Sequence, residues 1–156
     1  IMATTIVPSN LIVTITESYT LNGVDYGNTM NKTYTDNGQV SQRVMSIAGK
    51  GAEATVWTDI LALSTVDGQG QVVKADYKYF RITNLDTVNT LYIRTYNGTD
   101  YVAFEVAPAS SLMLMDAGYD ATLTAAIVVL KDIELISGQS SSETDAIDVE
   151  FIMVTA

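Results

Sequence analysis

Carboxylates are the first residues in this chain whose type and spacing could do chemistry. Glu105 and Glu134 fall in stretches that read as strands, and Asp148 and Glu150 flank Val149 near the C-terminus. Two carboxylates placed across a sugar ring can cleave a glycosidic bond, one as acid and the other as base or nucleophile. Acidic residues that alternate along a strand are far more often its solvated face, and that is the reading taken here. Other catalytic groups are scarce. The chain has no His and no Cys, which removes the commonest general base, the commonest transition-metal ligand and all thiolate chemistry. No Ser-x-x-Lys spacing occurs, and Gly49-Lys50-Gly51 has neither the spacing nor the following helix of a phosphate loop. Turn carboxylates at Asp86, Asp100, Asp116 and Asp120 could contribute oxygens to a Ca²⁺ ion, but no repeat organises them into a loop of ligands. The expectation is a protein with no catalytic residues, no cofactor site and no metal site, and therefore not an enzyme.

Aromatic and thioether side chains are the more informative set. The composition includes 9 Tyr, 1 Trp and 6 Met. Tyr92, Tyr96 and Tyr101 fall on one face of a predicted hairpin, where they could form a sugar-stacking platform or a subunit contact. Tyr is both a good strand residue and a common interface residue, so the contact is the expectation. Leu112-Met113-Leu114-Met115 is apolar on both faces of a strand. With the leucines turned into a core, Met113 and Met115 face outward beside the Tyr-rich surface, and their flexible thioethers suit contact with another subunit. The candidate interface set is thus Tyr92, Tyr96, Tyr101, Met113 and Met115.

These side chains need extended elements to position them, and the stretch Tyr77 to Met115 supplies four runs in succession. They are separated by Asn84-Leu85-Asp86, Asn97-Gly98 and Pro108-Ala109-Ser110-Ser111, and read as an antiparallel sheet written out in order. A two-residue loop at Asn97-Gly98 sets Tyr96 opposite Thr99, Ile93 opposite Val102 and Leu91 opposite Phe104. Leu91, Ile93, Val102, Phe104 and Val106 then share one face, and Arg94 lies beside Tyr101 on the other. Asn22-Gly23 predicts a second two-residue loop, pairing Leu21 with Val24, Tyr19 with Tyr26 and Ile15 with Met30. Residues 31–48 repeat the pattern less clearly around Asp36-Asn37-Gly38. Thr55 to Leu63 reads as a strand, with a short helix over 53–63 as the alternative. Ala121 to Ile136 is expected to hold one or two strands, with Ile127, Val129, Ile133 and Leu135 in phase. Ser137 to Asp145 reads as a flexible polar loop. The final run points Ile147, Val149, Phe151 and Met153 inward, with Asp148 and Glu150 outward.

These runs add to eight to ten strands with no clear helix, which predicts an all-β protein: an antiparallel β-sandwich of jelly-roll type in a single domain, residues 1–9 forming an N-terminal arm. The 156 residues are 47% hydrophobic, enough to bury a core. Net charge is -10, from 18 acidic and 8 basic residues, which opposes non-specific contact with nucleic acid or an anionic membrane. No apolar run approaches the ~18 residues of a membrane span, and the stretch from Met2 lacks the basic region and long apolar core of a secretory signal.

Arg81-Ile82-Thr83-Asn84-Leu85-Asp86, then Asn89, then Pro108 and Ser111 form a pattern of strand and turn residues covering about a quarter of the chain. The pattern resembles one found in small β-sandwich virion structural proteins of tailed bacteriophages. The resemblance implies a non-enzymatic protein of the virion, with capsid decoration as the first expected placement and a neck or tail accessory role as the second. It implies partners that are virion proteins, such as the major capsid protein. Together with the methionine strand it leads to the expectation of a homo-oligomer, a trimer being favoured. A carbohydrate-binding sandwich module is the alternative from a different functional class.

Overall fold

The computed structural model describes residues 7–64, 72–115 and 133–156. Among them strands dominate, and the single helical element is a 3-10 turn, Lys74–Asp76. The chain forms two compact units, one running to Gln39 together with Ala156, the other from Val40 to Thr155.

The first unit is a long β-ribbon. Strands β1 (Ser9–Glu17) and β4 (Asn28–Asn37) pair antiparallel, and the short strands β2 (Thr20–Leu21) and β3 (Val24–Asp25) continue the ribbon to its tip. Ile15 pairs with Met30 and Leu21 with Val24, as the two-residue loop requires. Asn22 and Gly23 both have positive φ, 52° and 80°, the conformation that matches the right-handed twist of a hairpin. At the base, the Asn37 side-chain amide donates to the carbonyls of Ser9 and Tyr34, each at 2.8 Å.

The second unit is a sandwich. One sheet has the order β10-β9-β12-β6-β7, the other β11-β8-β13-β5. The strands are β5 (Gln39–Ile47), β6 (Thr58–Ser64), β7 (Val72–Val73), β8 (Tyr77–Asn84), β9 (Leu91–Tyr96), β10 (Tyr101–Val106), β11 (Ser111–Met115), β12 (Leu135–Ser140) and β13 (Ile147–Thr155). With the two-residue β7 set aside, the eight remaining described strands switch between two four-stranded sheets at every connection but the β9–β10 hairpin, the order of a jelly roll. Their inner faces meet in one core built from Ile47, Phe80, Ile82, Leu91, Ile93, Ile136, Val149 and Phe151, with Phe80 and Phe151 stacked at 6.1 Å. β13 shows why strands form here: Ile147, Val149, Phe151 and Met153 are all buried while Asp148 is exposed, a period of two that only an extended chain satisfies.

Several expectations need correction. The stretch from Tyr77 to Met115 is not one sheet in sequence order. Only β9 and β10 pair as neighbours, while β8 pairs with β13 and β11. Asn84-Leu85-Asp86 and Pro108-Ala109-Ser110 are corners that carry the chain from one sheet to the other. Asn84 is fully buried at the first corner. Its side-chain amide donates to the carbonyls of Asn89, Val106 and Ala107, and its carbonyl oxygen accepts from the Asp86 N–H. The Asp86 carboxylate accepts from the N–H groups of Val88 and Asn89, which hold it below its ordinary carboxylate value. The Asp86 carbonyl accepts from the Ala109 N–H, and Thr83 hydrogen-bonds Ser111 at 2.8 Å, so the two corners are tied together.

The loop after β9 has four residues, not two. Asn97 Oδ1 accepts from the Thr99 and Asp100 N–H groups, Tyr96 pairs with Tyr101, and Ile93 pairs with Phe104. The register differs from expectation by two residues, so every side chain keeps its expected face. β5 does not form a hairpin with β4; it lies beside β13, with Met45 and Ile47 toward the core and Val40 and Val44 exposed. β6 is a strand, as read, but begins only at Thr58. The polar run from Ser137 divides: Ser137 to Ser140 belong to β12 and are buried, because they pair with β9 on one side, and only residues 141–146 connect to β13. Ile127, Val129, Asp116 and Asp120 lie outside the described residues.

Candidate interaction site

The outer face of the five-stranded sheet follows from the alternation of β9. Leu91, Ile93 and Thr95 are fully buried, which turns Tyr92, Arg94 and Tyr96 outward. On one side β10 sets Tyr101, Ala103 and Glu105 opposite them, and on the other β12 sets Leu135, Ser137 and Gln139. Trp57 reaches the same surface from the turn ahead of β6, a turn fixed by the Val56 N–H bonding the Lys50 carbonyl and by Thr58 Oγ1 accepting from the Ala48 N–H.

These side chains build a continuous stack. The guanidinium carbon of Arg94 lies 4.2 Å from the Trp57 ring centre and 4.6 Å from that of Tyr101. Tyr101 in turn stacks on Tyr96 at 4.5 Å, with the rings inclined by 26°. The Tyr96 hydroxyl donates to the Gly98 carbonyl at 2.7 Å, pinning the stack to the tip of the loop. Gly98 has a φ of 93° and sits against Glu134, whose carboxylate holds Lys74 in a 3.0 Å ion pair. Ser137 donates to Asp59 at 3.1 Å.

Electrostatically, Arg94 stands out within this set. Among the described residues no carboxylate forms an ion pair with it, and its Nε is buried without a hydrogen-bond partner. Gln139, itself buried, has an Oε1 that is likewise unpartnered. With rings against its faces, the guanidinium can still bind in its own plane, along the N–H edges that recognise carboxylates bidentately.

Met113 and Met115 are elsewhere. Leu112 and Leu114 pack on the core, as expected, and the methionines point out of the other sheet. Met113 is 38% exposed and pairs across the ladder with Arg81, which makes a 3.1 Å ion pair with Glu150. The five residues singled out from the sequence therefore split into two groups, Tyr92, Tyr96 and Tyr101 on one outer face of the sandwich and Met113 and Met115 on the opposite one. Sequence reasoning placed Arg94 beside Tyr101 but missed Trp57 and Gln139. Gln139 was hidden in a run that looked like a loop, and nothing local in the sequence links Trp57 to β9.

Of the carboxylates considered for catalysis, Glu134 is paired with Lys74, Glu150 with Arg81, and Asp148 is exposed. Among the described residues no group of three or more acidic side chains is arranged to hold a metal ion.

The ribbon offers a separate surface. At its tip Tyr19, Leu21, Val24 and Tyr26 are between 48% and 59% exposed, with Ile12 and Met30 exposed farther down. Tyr19 and Tyr26 contact each other at 6.1 Å across the hairpin. Comparison of the chain with protein-family models, with curated proteins and with solved structures finds no match.

Proposed function

We propose that this chain is a non-enzymatic structural subunit of a tailed-phage virion, built to dock on other virion proteins, with capsid decoration or cementing as its first placement and a neck or tail accessory role as its second. The observation that carries the reading is the ribbon. A two-stranded hairpin has no core of its own and is marginally stable in water. This one nevertheless extends from Ser9 to Asn37 and presents a row of large apolar side chains at its tip. Such a surface suits an element covered by a neighbour in an assembly. The jelly-roll order is shared with viral capsid proteins, among others, and Asn84, Asp86, Asn89 and Ser111, which carry the resemblance, lie at the hydrogen-bonded corners of the sandwich.

A carbohydrate-binding module is the competing reading, and the stack weighs against it. A sugar needs an open aromatic face, whereas the ring of Tyr101 already carries Arg94 and Tyr96. Mass spectrometry of purified particles from the genome that encodes the chain tests the proposal. Detection in many copies per particle is expected. Absence from particles, or hydrolytic turnover of a peptide, ester or glycan by the purified protein, overturns it.

A further inference from the structure

The chain carries an exposed carboxylate on one surface and, on another, an arginine with no ion pair among the described residues. The ribbon has a surplus of negative charge, with Glu17, Asp25 and Asp36 against Lys32. At the tip end, the Asp25 carboxylate already accepts from the Gly27 N–H at 2.7 Å. Glu17 is exposed and ends β1 two residues before Tyr19, and its carboxylate has no hydrogen bond or ion pair among the described residues. The outer face of the five-stranded sheet also carries Glu105 and Asp59, but its Arg94 has no carboxylate partner among the described residues. Arg94 is held by Trp57 and Tyr101 and flanked along β9 by Tyr92 and Tyr96. Trp, Tyr and Arg clustered in this way are the residues that dominate binding energy at protein interfaces.

We propose that the ribbon tip of one copy docks on the Trp57–Arg94–Tyr101 face of a second copy, with the Glu17 carboxylate pairing in plane with the Arg94 guanidinium. Tyr19, Leu21, Val24 and Tyr26 supply the apolar cover around that pair. The contact joins two different surfaces, so it is head-to-tail and generates a ring when the rotation closes. The inference rests on the assembly reading above and names the surfaces that carry it. It also gives both features one explanation: the exposed apolar tip gains cover, and the Arg94 guanidinium gains a counter-ion.

Light scattering after size exclusion, on the full chain at micromolar concentration, tests it. The expected result is a single oligomer that weakens as salt screens the pair. Glu17→Arg and Arg94→Glu each weaken association by roughly tenfold or more, as removal of one member of a desolvated interface pair does, and the double variant restores it. Glu17 is exposed on the ribbon, so its substitution reads out docking even where Arg94→Glu disturbs the sandwich. A wild-type monomer overturns the inference, as does an oligomer indifferent to Glu17→Arg or a charge swap that fails to rescue. If the protein is abundant in particles but gives any of those results, the inference falls and the assembly reading stands.

Discussion

Arg94 lies with its guanidinium carbon 4.2 Å from the ring centre of Trp57, two residues that no ladder pairing connects. The contact lets a cation remain at the surface of an acidic protein without a carboxylate partner. It replaces ion pairing by attraction to the ring quadrupole, and it keeps the guanidinium in a fixed plane.

Trp57→Ala should therefore lower stability by about 1 kcal/mol, the size of a partly exposed cation–π contact together with some lost apolar cover. A double-mutant cycle with Arg94→Ala, read by urea unfolding, isolates the pair and should return a coupling of about 0.5–1 kcal/mol. Additive effects of the two substitutions would show that the proximity has no energetic content.

Asn84→Ala should be among the most damaging single changes in the sandwich. It removes the donor for the Asn89, Val106 and Ala107 carbonyls, and leaves the Asp86 N–H without its acceptor. Buried groups stripped of partners cost about 1–3 kcal/mol each, and relaxation of the corner recovers part of that. A total loss of about 3 kcal/mol in denaturant unfolding is expected; a loss below about 1 kcal/mol would mean that the corner is held by its backbone alone.

Asp86 gives this corner a pH dependence of definite sign. Its carboxyl is held below the ordinary value in the folded chain by the Asn89 and Val88 N–H groups. Its contribution is complete above the unfolded carboxylate value and is lost as pH falls through the lower, folded one. Melting temperature should thus fall more steeply with acidification in the native chain than in Asp86→Asn, which has no carboxylate to protonate. Parallel acid profiles would remove the carboxylate from the account.

Tyr77 predicts the opposite of the usual core substitution. Its hydroxyl is buried with no hydrogen-bond partner among the described residues, and burial pushes its pKa well above 10.0. Tyr77→Phe keeps the ring in the core and deletes the orphaned hydroxyl, so stability should be unchanged or raised, by up to about 1 kcal/mol. A raised phenol pKa contributes stability that is present below the unfolded value and lost as pH rises toward the folded one. The native chain should accordingly lose stability above about pH 10 more steeply than Tyr77→Phe. A destabilised Tyr77→Phe would point to a partner for the hydroxyl.

Much of this protein was legible from local pattern. Alternation alone identified β13, β9 and the outward turn of Met113, because a strand's side chains repeat every two residues and a half-buried strand must sort them. Asn22-Gly23 specified its hairpin because both residues accept positive φ cheaply. The shift of two residues at Asn97-Gly98 spared every face assignment for the same reason of period. Partner choice was decided only by the tertiary structure. β8 is equally extended whether it lies beside β9 or beside β13, and only the corner at Asn84, closed by carbonyls from the β10–β11 connection, sends the chain to the other sheet. Ser137 to Ser140 looked like a solvated loop because their side chains are small and polar, yet β9 on one side needs their backbone groups to complete its ladder. Packing across the sandwich also set Tyr101 and Met113 on opposite outer faces and brought Trp57 onto Arg94. Contacts between elements far apart in sequence leave no periodic trace in either one, so only the folded chain could place them.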